Sequence, residues 1–90
     1  MNEQQILEEL LALLEANSVT IRNEPLGGGG GGLCTVKGKQ IFFLDTQATS
    51  ADSAVICAEA ISKVLDIDKL YIRPEVRRFI ENHSNIKKEQ

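Results

Sequence analysis

The feature that most constrains the fold is a run of six consecutive glycines, Gly27 to Gly32, in the stretch PLGGGGGGLCTV. Glycine brings no side chain to a core and loses more conformational entropy on folding than any other residue. The chain has only 90 residues, too few for a separate core on each side of the run. We therefore expect one domain, residues 1–90, with an ordered core at about 3–82 and a polar tail at 84–90.

The spacing of apolar residues predicts one helix before the strands of a small sheet and two helices after them along the chain. A turn at Gly38 between LCTV and QIFFL is typical of a β-hairpin. The predicted order is a helix over 3–17, strands over 19–25, 33–36 and 40–44, and helices over 51–65 and 74–82. The sequence thus predicts an α+β domain: an N-terminal helix, a small antiparallel three-stranded sheet containing a β-hairpin, and two helices packed on the sheet.

Composition argues against several partners. Thirteen acidic and ten basic residues give a net charge of −3, whereas chains that neutralise a phosphate backbone usually carry a basic surplus. No apolar run approaches the roughly 20 residues of a membrane span, and the start Met-Asn-Glu lacks the basic residues of a targeting signal. We expect a cytoplasmic protein that binds neither nucleic acid nor membrane.

The glycine run has the wrong context for nucleotide binding. A phosphate-binding loop places its glycines before a helix N-terminus, whereas these glycines lead into a strand. The remaining interpretation is a shaped connection that a ligand or partner approaches closely. The candidate ligand- or partner-binding residues are Gly30, Gly31, Gly32, Cys34 and Phe42. Phe42 and Phe43 are consecutive, so one of them should be partly exposed if helices cover one face only.

Catalytic and metal sites have little support in the sequence. Cys34 follows the loop, and it has two interpretations: a reactive thiol beside the backbone N–H groups of the loop, or a small buried hydrophobe. One histidine, His83, and two cysteines do not supply a typical zinc site, and no set of catalytic side chains is apparent. We expect no metal and no cofactor.

The stretch GKQIFFLD, with the helix, strand and glycine-containing loop before it and a helix after it, resembles the core of ImmA/IrrE-type zincin metallopeptidases over roughly residues 3–65. In that family the helix carries His-Glu-x-x-His, whereas here it reads AVICAEAISKVL. Glu59 is present, but both histidines are absent, so the resemblance implies no zinc activity. The motifs GG-L-C-x-x-x-G-K and YIRPEVRRFIE also resemble short bacterial proteins of unknown function, which imply no activity.

Two classes of function remain. The first is a non-enzymatic binding or oligomerisation module that forms a homodimer or holds a protein partner, as an open sheet with free edges would allow. The alternative is a small thiol-redox or other enzyme using Cys34, or a degenerate metallopeptidase-like domain. The reactivity of the Cys34 thiol distinguishes the two classes.

Overall fold

The computed structural model describes residues 1–29 and 31–83. The predicted tail at 84–90 and the candidate residue Gly30 lie outside the described residues. The expected α+β order, with one helix, three strands and two further helices, is confirmed. The elements are α1 (Glu3–Ala16), β1 (Thr20–Glu24), β2 (Gly32–Val36), β3 (Lys39–Asp45), α2 (Ser50–Val64), a short 3₁₀ turn (Ile67–Lys69) and α3 (Pro74–Asn82).

Side chains at the start of α1 and α2 accept hydrogen bonds from otherwise unpaired backbone N–H groups. The Asn2 side chain accepts from the Gln5 N–H at 2.8 Å, and the Gln5 side chain accepts from the Asn2 N–H at 3.0 Å. Thr49 Oγ1 accepts from the Asp52 N–H at 3.1 Å and so caps α2. The reciprocal pair at α1 and the single bond at α2 fix where each helix begins.

The sheet is mixed, and the predicted all-antiparallel pairing is wrong for one strand. The strand order is β1-β3-β2, with β2 antiparallel to β3 and β1 parallel to β3. The chain leaves β1, crosses the end of β3 and enters β2 on the far side. The hairpin then brings the chain back as β3, which lies between β1 and β2. As a result, β3 runs in the same direction as β1. The glycine run makes this crossing.

The β2–β3 turn follows directly from its sequence. Lys37 and Gly38 have φ values of 52° and 78°, as a two-residue type I′ turn requires. The turn pairs Val36 with Lys39 and sets the register in which Cys34 lies opposite Ile41. Residues that lie opposite each other share a face of the sheet, so this register decides which side chains meet the helices.

The core lies between the sheet and the helices. Phe42 points to the helices and is 1% exposed, whereas the next residue, Phe43, is only half-buried on the other face. α1 and α2 pack against each other, and α3 packs against both. Alanines and a cysteine along α2 let these elements approach closely. The fully buried residues of α2 and α3 are Ala54, Cys57, Ala58, Ile61, Val76 and Ile80.

Candidate functional site

The glycine connection is held by a buried carboxylate at the end of β3. Asp45 is 2% exposed. Its Oδ1 accepts hydrogen bonds from the N–H groups of Leu26 and Gln47, and its Oδ2 accepts from the Gly28 N–H, each at 2.9 Å. A buried carboxylate is stable only when it is paired or hydrogen-bonded, and bonds to a charged acceptor are the stronger ones. Asp45 therefore anchors the first half of the connection.

Gln47 provides a second anchor next to Asp45. Its side-chain Oε1 accepts a hydrogen bond from the Gly27 N–H at 2.6 Å. The N–H groups of Gly27 and Gly28, which in a phosphate-binding loop would face an anion, thus donate to side chains of the same chain. This part of the connection is a braced structural segment whose backbone donors already have acceptors.

Within the described part of the glycine run, glycine is required at three positions, for two different reasons. Gly27 and Gly28 both have φ of +84°, a conformation that side chains disfavour. Gly31 lies against the backbone of β3, and a Cβ there would overlap the carbonyl oxygen of Phe43. Gly29 has open space around it. The candidate residues Gly31 and Gly32 therefore lie where the connection passes the end of β3 and joins β2.

The two cysteines lie on opposite sides of the sheet. Cys34 is exposed on the face that carries Ile41, away from the helices. Cys57 is completely buried among the helices, and this burial raises the pKa of its thiol to about 12. The sheet lies between them, so the geometry does not bring together a Cys34–Cys57 redox pair.

The open face of the sheet carries a small apolar patch. Phe43 and Ile41 are half-buried there, and the Arg22 guanidinium carbon lies 6.0 Å from the centre of the Phe43 ring. Arg22 also forms a 3.1 Å ion pair with Glu24. Of the predicted binding residues, Phe42 is a core residue, and Phe43 is the phenylalanine available on this face. The strand alternation predicts that the two point apart, but not which one meets the helices.

The two edges of the sheet differ in chemistry. The β1 edge, TIRNE, contains the charged residues Arg22 and Glu24 and is followed by Pro25. The β2 edge, GLCTV, has no charged residue, and its last three residues are exposed, with Val36 45% exposed. Charges and prolines are devices by which proteins block pairing at an edge. Charged residues lie within β1 and a proline follows it, whereas the first charge at β2 is Lys37 in the turn that leads to β3.

A groove of about 360 Å³ runs between the β2 edge and α2. Leu33 forms one wall, and Ile56 and Ala60 form the other. Glu59 and Lys63, one helical turn apart on α2, also line it. Glu59, the acidic position in the metallopeptidase resemblance, is thus at the groove beside β2. The uncharged LCTV run is the one signal for this edge in the sequence. The sequence does not indicate that β2 lacks a neighbouring strand on this side.

Within residues 1–29 and 31–83, no three histidine, cysteine, aspartate or glutamate side chains are grouped as metal ligands would be. None of the helices in the same ranges has the length and apolar character needed to cross a membrane.

Comparison of the chain with protein-family models, with curated proteins and with solved structures gave no match. The functional proposal therefore rests on the geometry of this chain alone.

Proposed function

We propose that the protein is a non-enzymatic binding module that takes up an extended segment of a protein partner along the β2 edge. The observation that carries the proposal is the contrast between the two edges of the sheet. β2 contains no charged residue and its last three residues are exposed, whereas β1 has charged side chains and is followed by a proline. An extended segment added to a free edge gains main-chain hydrogen bonds and places alternate side chains in adjoining pockets.

The direction of the backbone groups of β2 can be derived from the hairpin. In a type I′ turn the Val36 carbonyl accepts from the Lys39 N–H, so Val36 faces β3. Bonded and non-bonded pairs alternate along antiparallel strands, so Cys34 also faces β3, and Leu33 and Thr35 face outward. The N–H and C=O groups of these two residues are the ones that a partner strand would use.

The groove supplies side-chain recognition beside this edge. Leu33, Ile56 and Ala60 form apolar walls next to the outward backbone groups, and Glu59 and Lys63 add charges of both signs to the lining. A partner segment with an apolar residue facing the groove would gain affinity from burial. The bonds from Asp45 to the glycine connection hold the N-terminal end of β2 in place for this role.

Proline substitution at Thr35 tests the proposal. Peptides would be selected from a displayed random library against the wild-type chain, and their affinity for variants measured by fluorescence anisotropy. Thr35→Pro removes an outward N–H without breaking a bond to β3, so we expect binding to fall at least about tenfold. Asn23→Pro on the β1 edge is the matched control and should leave binding unchanged. Peptides that bind wild type and Thr35→Pro equally well would contradict the proposal.

The alternative function, thiol chemistry at Cys34, is favoured by the exposure of this side chain. It is separated from strand addition by Cys34→Ser, which removes the thiol and keeps the outward backbone of β2. We expect Cys34→Ser to retain peptide binding. Loss of a measured thiol-dependent activity in this variant, with peptide binding absent from the wild type, would favour the enzyme.

A further inference from the structure

We infer that the segment taken up by the β2 edge is the β2 strand of a second copy, paired antiparallel about a two-fold axis through Cys34. The inference rests on the proposed binding at this edge and names its occupant. The pairing would join two three-stranded sheets into one continuous six-stranded sheet with the order β1-β3-β2-β2-β3-β1. A two-fold interface uses the same patch on both copies, so the edge must be complementary to itself.

The backbone of β2 meets that condition. Its five residues, Gly32–Val36, are centred on Cys34. A two-fold axis at this residue places Leu33 of one copy opposite Thr35 of the other, and both have outward-facing backbone groups. Each such pair exchanges both of its hydrogen bonds, and the axis generates the pair twice. A shift by a single residue along either strand would set an outward residue against an inward one and lose these bonds.

The side chains fit the same register. β2 brings no charge to the junction, so no like charges meet across the axis. Thr35 of the second copy would lie opposite Leu33, on the face of the groove formed with Ile56 and Ala60. The axis also makes the two copies of α2 antiparallel, so Glu59 and Lys63, which line each groove, follow in opposite order on the two sides of the junction. An antiparallel pair of helices can place acidic and basic residues opposite each other.

Cys34 provides a direct readout of the register. Cys34 would lie opposite its own copy as a non-hydrogen-bonded pair, for which the two Cα atoms are about 4.5 Å apart. Disulfides form at Cα separations of about 4.4–6.8 Å, so the two thiols are within bonding distance. Diamide can oxidise them: the two thiols lose two protons and two electrons to the diazene, a disulfide forms, and the diazene is reduced to its hydrazine.

The first test is the mass of the full chain in solution, measured by sedimentation equilibrium across the micromolar range. We expect the mass of two chains for the wild type. Thr35→Pro should raise the dimer dissociation constant at least about tenfold, because a substitution in a two-fold interface acts twice. Asn23→Pro should leave it unchanged. Where a proline variant fails to give the wild-type circular dichroism spectrum, Thr35→Lys and Asn23→Lys replace the pair, since charge blocks an edge without removing an N–H.

The second test is diamide cross-linking of the dimer. The wild type should give a covalent dimer, and Cys34→Ser should give none. The double variant Cys34→Ser/Val36→Cys is the matched control, because its thiol lies on the same face but the two copies would be about 13 Å apart along the strands. Cross-linking of this control as efficient as that of the wild type would overturn the register.

The outcomes separate this inference from the proposed function. A monomeric wild type overturns the inference, and peptide binding that depends on Thr35 would still support the binding module. A dimer unaffected by Thr35→Pro and Thr35→Lys places the interface elsewhere and also overturns it. A dimer that weakens with Thr35→Pro and cross-links only through Cys34 supports the inference.

Discussion

The two connections that flank β2 reach their conformations by different means. Lys37 and Gly38 form a two-residue turn whose positive φ values follow from the hairpin itself. The glycine connection must cross the end of β3, a distance of two strand spacings of about 4.8 Å each. It is shaped by groups remote in sequence, because Leu26 and Gly28 donate to Asp45 and Gly27 donates to Gln47.

This difference shows that six glycines in a row need not be a tether. The hairpin turn needs one glycine and no outside partner. The longer connection combines glycines that satisfy a backbone angle, a glycine that satisfies a close approach and a glycine with neither constraint. Substitutions at single positions should therefore have very unequal effects, and the differences between them test the comparison.

The largest effect should come from Gly31→Ala. The new Cβ would overlap the Phe43 carbonyl oxygen, and both groups belong to the main chain, so no rotamer change relieves the clash. We expect the free energy of unfolding to fall by about 3 kcal/mol or more. Urea denaturation measures it, with Gly29→Ala as the control from the same run. Equal stability of the two variants would show that the connection does not pass close to β3.

Asp45→Asn should have the next largest effect. The asparagine amide presents an NH₂ group where the carboxylate has an acceptor oxygen, so at least one of the three backbone N–H groups loses its partner at a buried side chain. We expect a loss of about 2–3 kcal/mol in urea denaturation. The matched control is Asp52→Asn, an exposed aspartate in the first turn of α2, which should cost at most about 1 kcal/mol. Similar losses in both variants would refute the anchoring role of Asp45.

Gly27→Ala and Gly28→Ala should each cost about 1–2 kcal/mol, because alanine must adopt their φ of +84°. Gly38→Ala in the hairpin turn should cost a similar amount for the same reason.

Combining each of these variants with Asp45→Asn then distinguishes the two connections. Gly28→Ala and Asp45→Asn should be non-additive, since Gly28 donates to Asp45, whereas Gly38→Ala and Asp45→Asn should be additive. Thermal denaturation of the single and double variants measures this coupling.

The smallest effect, of opposite sign, is expected for Gly29→Ala. Its Cβ would meet no atom within 4 Å, and its φ lies outside the positive range. Alanine restricts the unfolded chain, so the free energy of unfolding should rise by about 0.4–1 kcal/mol. A rise in the melting temperature checks this expectation. A fall would mean that this residue too has a conformational requirement.

Features that depend on neighbouring residues could be predicted from the sequence. The Asn2–Gln5 capping box and the Gly38 turn rest on residues a few positions apart, and both are present in the structure. For α2 the sequence offers Thr49 with Asp52 or Ser50 with Ser53 as the cap, and the structure has Thr49. The helix beginning at Pro74 follows from the fixed φ of proline and is also confirmed.

Features that depend on tertiary placement could not be predicted. Alternating apolar residues identify β1 as a strand but carry no information on its partner, so its parallel pairing with β3 was missed. In the sequence, Asp45 is an ordinary polar residue at the end of a strand. Its role as an acceptor depends on the fold, which brings the N–H groups of Leu26 and Gly28 to its carboxylate. Strand alternation places Phe42 and Phe43 on opposite faces but does not indicate which of them contacts the helices. The position of α2 decides this.

The parallel pairing of β1 with β3 has a consequence for the order of events in folding. The β2–β3 hairpin joins residues close in the chain, and such hairpins form in about 1–10 μs. β1 can pair with β3 only when the hairpin has been placed next to β1, because Thr20 pairs with Ile41 and the two residues are far apart in the chain. Closing this non-local contact is the slower step. The folding rates of Asp45→Asn would place the anchor in this order: slower refolding if the anchor forms together with the β1–β3 pairing, and mainly faster unfolding if it forms afterwards.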